Sequence, residues 1–198
     1  MTTAFSVTWD YRCPFARIGH LHVLAGLRDG ADWDVTFTPF SLGQMHVEEG
    51  QPDVWDDPDK ETGLLALRVG TVVRDRFPDE FDAVHTALFD ARHVDSLDLR
   101  DREVLAKALD DHGVPSQEVF DEIAGGAPLE TVRKEHEAAV ADNNVWGVPT
   151  FVIGDRAIFV RLMNTPTDDA DGHRTVDRIL DLLAWTDLNE FKATSIPR

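Results

Sequence analysis

The sequence predicts an α/β fold in which short groups of strands at the two ends of the chain flank a long helical block. Three observations carry that prediction. Phe5, Val7 and Trp9 alternate with Ser6, Thr8 and Asp10, the period of a half-buried strand. From Leu64 to Asn143 the apolar residues recur at helical rather than strand spacing. Beyond that block, Thr150 to Ile153 and Ala157 to Val160 flank Gly154-Asp155, which signals a hairpin.

The elements follow in order. The first strand takes Phe5 to Asp10. A helix runs from Pro14 to Arg28, with Ile18, Leu21, Leu24 and Ala25 at helical spacing and Asp29-Gly30 as its stop. Trp33, Val35, Phe37 and Phe40 mark a second strand ending near Ser41. Strand, helix and strand in succession join parallel strands through a right-handed crossover. Gln44 to Thr62 is polar and proline-bearing, and reads as a long loop. Leu64 to Val73 opens the helical block and closes near Phe77-Pro78, and Phe81 to Phe89 continues it. Asp101 caps a third segment through Leu105 and Leu109, stopped by Gly113. Ser116 to Ala124 and Pro128 to Asn143 complete the block. After the hairpin, Val176, Ile179, Leu180 and Leu183 line one side of a final amphipathic helix, and the tail beyond Trp185 carries no signal. The order β-α-β, helices, β-β-α is that of a thioredoxin fold with an inserted all-helical domain. Residues 1–62 and 144–198 form the thioredoxin-like domain, and residues 63–143 form the insertion.

Charge narrows the partners. Nineteen Lys plus Arg against thirty-seven Asp plus Glu leave a net charge of −18, which argues against nucleic acid and anionic membranes. No apolar run approaches the ~18 residues of a membrane-spanning helix, and the N-terminus shows no basic segment followed by an apolar one. Cys13 is the one cysteine, so no internal disulfide forms and a reducing cytoplasm is the expected setting. Association into oligomers is left open.

Chemistry concentrates at Cys13-Pro14-Phe15-Ala16. Cys13 falls between the first strand and a helix that Pro14 opens, a position where the missing proline N–H is no loss. A thiol there faces unpaired backbone N–H groups, which favours thiolate and lowers thiol pKa values to about 3.5–7.5 in known cases. Arg12 and Arg17 add positive charge nearby. Late in the chain, Gly147-Val148-Pro149-Thr150 sets a proline directly ahead of the third strand. Phe15, Trp146 and Phe159 either shape an apolar pocket or belong to the core. Arg161 either takes a carboxylate or lies on the surface. His20 and His22, two apart in a helix, point to different faces. Neither they nor Glu135-His136-Glu137 has zinc-ligand spacing, so no metal is expected. No glycine-rich phosphate loop is present, so neither nicotinamide nor flavin is indicated.

Taken together, these residues resemble the DsbA-like branch of the thioredoxin superfamily over nearly the whole chain. Asp10-Tyr11-Arg12-Cys13-Pro14-Phe15 with Ile18-Gly19 is similar to its active-site turn. Ala87-Leu88-Phe89-Asp90-Ala91 through Asp98 and Val104-Leu105 is similar to its inserted helical domain, and Val132-Arg133-Lys134 through Phe151-Val152 to its last inserted helix and cis-proline loop. The branch includes FrnE-like oxidoreductases, kappa-class glutathione transferases and 2-hydroxychromene-2-carboxylate isomerases. Phe37 to Leu42 and the single-cysteine turn look closest to actinobacterial mycothiol-dependent reductases.

The resemblance implies that Cys13 is the nucleophile and that Pro149 is a cis-proline. It further implies that Pro14, Phe15, Arg17, His93, Val148, Pro149 and Thr150 bind substrate or thiol. Where the family's oxidases carry Cys-x-x-Cys, this chain has Ala16. Without a resolving thiol the implied chemistry is a monothiol cycle: Cys13 forms a mixed disulfide, and a low-molecular-weight thiol, mycothiol or glutathione, releases it. The implied partners are that thiol and a disulfide or small electrophile. The alternatives are a transferase- or isomerase-like enzyme holding its thiol cofactor non-covalently, and a redox-silent binding module.

Overall fold

The computed structural model describes residues 2–60 and 63–188. Strand β1 (Thr3–Trp9) leads to helix α1 (Pro14–Arg28) and strand β2 (Trp33–Pro39). A short helix α2 (Leu42–Met45) follows, then a helical block of α3 (Leu64–Arg76), α4 (Phe81–His93), α5 (Arg102–Asp110), α6 (Ser116–Ala124) and α7 (Ala127–Asn143). Strands β3 (Thr150–Ile153) and β4 (Arg156–Phe159) form a hairpin, and α8 (Asp169–Ala184) ends the described chain.

The sheet has the order β2-β1-β3-β4. β1 runs parallel to β2, with Val7 opposite Phe37, and antiparallel to β3, with Val7 opposite Phe151. The α1 crossover makes the first pairing parallel, and the two-residue turn at Gly154-Asp155 makes β3 and β4 antiparallel, with Gly154 at φ +60° where a side chain would be strained. Phe5, Val7 and Trp9 bury one face of β1 in the core, as their alternation predicts. Helix α8 packs closely along α1 because Gly172 has no Cβ: one built there would stand 2.8 Å from the His22 carbonyl oxygen.

The main departure from expectation lies in the stretch read as a loop from Gln44 to Thr62. Ser41 caps α2, its hydroxyl accepting the Gln44 N–H at 3.2 Å. Ser41-Leu42-Gly43-Gln44 has the S-x-x-Q spacing of a capping box, a signal available in the sequence. Further on, Val54–Asp56 form a 3₁₀ turn that buries Trp55 against the His136 ring. The Gln44 side chain joins the two pieces, donating to Asp53 at 2.7 Å and accepting the Val54 N–H at 3.0 Å. Glu61 and Thr62, at the end of that stretch, and residues 189–198 of the tail lie outside the described residues. Boundaries elsewhere shift slightly: β2 ends at Pro39 rather than Ser41, and β4 begins at Arg156 rather than Ala157. Asp101 caps α5 by accepting the Glu103 N–H at 2.8 Å. Among the described residues, no helix is long and apolar enough to cross a membrane.

Candidate active site

Cys13 is the N-cap of α1, in extended backbone conformation with Pro14 at the first helical position. Its sulfur takes the role of a capping serine, accepting the Ala16 N–H at 3.4 Å. The thiol donates in turn to the Val148 carbonyl at 3.3 Å, so two segments far apart in sequence meet at this sulfur. Val148–Pro149 is a cis peptide bond. The loop that carries it is fastened on both sides: the Thr150 N–H donates to Thr8 Oγ1 at 2.9 Å, the Thr150 hydroxyl donates to the Gly147 carbonyl at 2.7 Å, and the Val160 N–H donates to the Pro149 carbonyl at 3.0 Å. Pro149 sits against α1 because residue 19 is glycine; a Cβ there would lie 2.9 Å from Pro149 Cγ.

The expectation of a lowered thiol pKa is corrected. Burial pushes the Cys13 thiol up from its ordinary value, and the N–H groups of Ala16 and Phe15, which pull it down, do not outweigh that. Asp10 adds to the rise, and Arg161 opposes it. Asp10 is a wholly buried carboxylate beneath the turn. It accepts from the Arg12 N–H at 2.9 Å, the Leu42 N–H at 2.8 Å and the Arg12 guanidinium at 3.2 Å. Arg12 therefore serves Asp10, and the sulfur rests as a thiol.

The other residues singled out from the sequence divide into those at the sulfur and those behind it. Pro14 is exposed, Phe15 is half-exposed, and Val148, Pro149 and Thr150 are buried in the facing loop. Arg17 is tied to Asp90 of α4 at 2.7 Å. His93, at the end of α4, donates Nε2–H to the Tyr11 carbonyl at 2.9 Å and so braces the turn two residues before the cysteine. Trp146 is 63% exposed and packs tilted against Phe159, 4.6 Å between centroids. Arg161 lies over the Phe15 ring, its Cζ 4.3 Å from the centroid.

Behind the turn runs a chain that sequence reasoning did not anticipate. The Tyr11 hydroxyl meets His85 Nδ1 at 2.7 Å, His85 Nε2 meets His20 Nδ1 at 2.9 Å, and His20 Nε2 meets the Thr8 carbonyl at 3.1 Å. The carbonyl can only accept, so His20 carries its proton on Nε2. His85 then donates from Nε2, and Tyr11 donates to His85. All three side chains are buried, which keeps the histidines neutral: His20 falls to about 4 and His85 well below its ordinary value, while the Tyr11 phenol rises. A signal for His85 existed: Phe81, His85 and Phe89 recur every fourth residue along one stripe of α4. His22 points elsewhere, to the Asn164 carbonyl at 3.0 Å. Among the described residues, no three His, Cys, Asp or Glu side chains come together as a metal site.

A cysteine capping a helix after the first strand, facing a cis-proline ahead of the third, on a thioredoxin sheet interrupted by a helical block, defines a class. The chain belongs to the DSBA-like thioredoxin domain family, which it matches over residues 6–171. Among solved structures it is similar to a probable DsbA oxidoreductase from Streptomyces coelicolor, with 16% identity, TM-score 0.63, and 97% of this chain and 94% of that one covered. It is also similar to a 2-hydroxychromene-2-carboxylate isomerase, with 13% identity, TM-score 0.63, and coverage of 91% and 96%. A third relative is the oxidoreductase DsbA from Xylella fastidiosa, with 18% identity, TM-score 0.58, and coverage of 91% and 85%. Identities this low speak for the fold alone. No curated protein matches the chain in sequence.

Proposed function

We propose that this protein is a cytoplasmic single-cysteine thiol–disulfide oxidoreductase that works with a low-molecular-weight thiol, mycothiol or glutathione. The observation that carries the reading is the pairing of a part-exposed Cys13, its sulfur 3.3 Å from the Val148 carbonyl oxygen, with a wholly buried alanine where a second cysteine would resolve it. Cys13 loses its proton to solvent and attacks one sulfur of a small disulfide. A Cys13–S–S–R bond forms, the original S–S bond breaks, and RS⁻ leaves and takes up a proton. A second small thiol then attacks the mixed disulfide and returns Cys13 to the reduced state. In this reading Val148 offers its backbone groups to the incoming sulfur compound, as an edge strand offers them to a peptide. In the same reading Pro14, Phe15, Pro149 and Thr150, which surround the sulfur or form the loop facing it, receive that compound. Arg17 and His93 hold α4 and the turn in register behind it.

The test is turnover of a small disulfide by a small thiol with wild-type protein and Cys13→Ser. Exchange falls to the uncatalysed background in the variant; activity that survives the substitution overturns the reading. A second reading has support from the protonated, hydrogen-bonded state of the thiol: a transferase- or isomerase-like enzyme that keeps its thiol cofactor non-covalently. Intact-protein mass during turnover separates the two, because only the first leaves an adduct on Cys13.

A further inference from the structure

One cation beside the sulfur has no acid to neutralise it among the described residues. Arg161 follows β4 and is exposed, and its charge reaches Cys13, whose pKa it lowers. Most of the described arginines find a carboxylate in this acidic chain, though Arg102, over the Phe120 ring at the start of α5, is another that does not. Arg17 pairs with Asp90, Arg28 with Asp169 and Arg74 with Glu135. Among the described residues no carboxylate pairs with Arg161; its neighbour is the face of Phe15, at 4.3 Å. A cation–π contact of this kind holds the guanidinium in place without using its N–H donors, which stay available to a carboxylate. Phe15 is the second residue of α1, so this fork is held on the same helix start that holds the sulfur.

We propose that Arg161 is the carboxylate-recognising residue of the Cys13 site, selecting small disulfides and thiols that bear a carboxylate over neutral ones. The proposal rests on the thiol-exchange reading of Cys13 and names its substrate class. The reaction is unchanged: Cys13 sulfur bonds to one sulfur of the disulfide, and the other leaves as thiolate. Arg161 adds an ion pair to the carboxylate of the bound half, so of the two thiols named above it favours glutathione over mycothiol, which has no carboxylate.

The experiment measures single-turnover formation of the Cys13 mixed disulfide with glutathione disulfide, which carries carboxylates, and with bis(2-hydroxyethyl) disulfide, which is neutral. Wild type is compared with Arg161→Gln. Because loss of Arg161 also raises the thiol pKa, the readout is the ratio of the two rates. That ratio is expected to fall about 2- to 5-fold in the variant, the range of an exposed ion pair. Equal slowing with both disulfides overturns the proposal. If wild-type Cys13 reacts with neither disulfide, the exchange reading fails by itself. Titration with S-methylglutathione, which cannot exchange, then decides on Arg161. Binding weakened by a similar factor in the variant supports the carboxylate anchor, while equal affinity or no binding to either protein overturns it.

Discussion

At position 16 an alanine methyl lies wholly buried while its backbone N–H points at the Cys13 sulfur. That one side chain separates this site from a dithiol site. A cysteine there stands three residues along α1 from Cys13, close enough to bond to it. Ala16→Cys is expected to form an internal disulfide between Cys13 and the introduced thiol under mild oxidant, read as loss of both free thiols to alkylation at the denatured mass of a single chain. Two thiols that remain alkylatable would contradict the geometry. The pKa of Cys13 is the residue-scale property that the sequence misjudged. Placement at a helix N-terminus was legible; the burial of the sulfur and the carboxylate of Asp10 beneath it were not, because both depend on how Val148 and Leu42 close over the turn. Since the shift is upward, the thiolate fraction keeps growing at pH values above the ordinary thiol midpoint. The alkylation rate of Cys13 is therefore expected to climb through and beyond that midpoint, and a plateau near neutrality would contradict the assignment.

Helix α4 reaches the Cys13 turn by two routes, His93 at its end and His85 in its middle. His85→Phe keeps the apolar stripe but leaves the Tyr11 hydroxyl without its acceptor and His20 Nδ1 without its donor. Chemical unfolding should show a loss of about 2–6 kcal/mol, the range for orphaning two buried polar groups. The loss should depend on pH. A histidine held below its unfolded pKa contributes stability that is present above the unfolded value and fades as pH falls, because the unfolded chain takes up the proton first. His20, at about 4 in the fold against 6.5 ordinarily, and His85, lower still, both act in this sense. Each makes the native state less stable below pH 6.5, by up to about 1.4 kcal/mol per pH unit. Removing His85 removes its share, so the stability gap between wild type and His85→Phe should narrow as pH drops from about 7 to about 5. Parallel stability curves would show that His85 is not buried neutral. The existence of α4 was legible from its stripe; the hydrogen-bond chain was not, since its partners lie far apart in sequence, on β1, the turn after it, α1 and α4.

Across the whole molecule, the order of strands and helices was readable because each long element carries its own period and its own stops. Gly154-Asp155 and Asp29-Gly30 are examples. What escaped was α2, signalled only by the short capping box from Ser41 to Gln44, and the Val54–Asp56 turn, a product of tertiary closure that buries Trp55 against His136. The site itself was legible as two separate motifs, and the fold brings them within hydrogen-bonding distance at one sulfur. The central claim is that this sulfur exchanges covalently with a small disulfide and has no internal partner to resolve it. The direct measurement is intact-protein mass after exposure to a small disulfide, followed by excess of the corresponding thiol. One adduct on Cys13, stable until the thiol is added and then fully released, is the predicted result. No adduct on native protein, with Cys13 modified only after unfolding, would contradict the account.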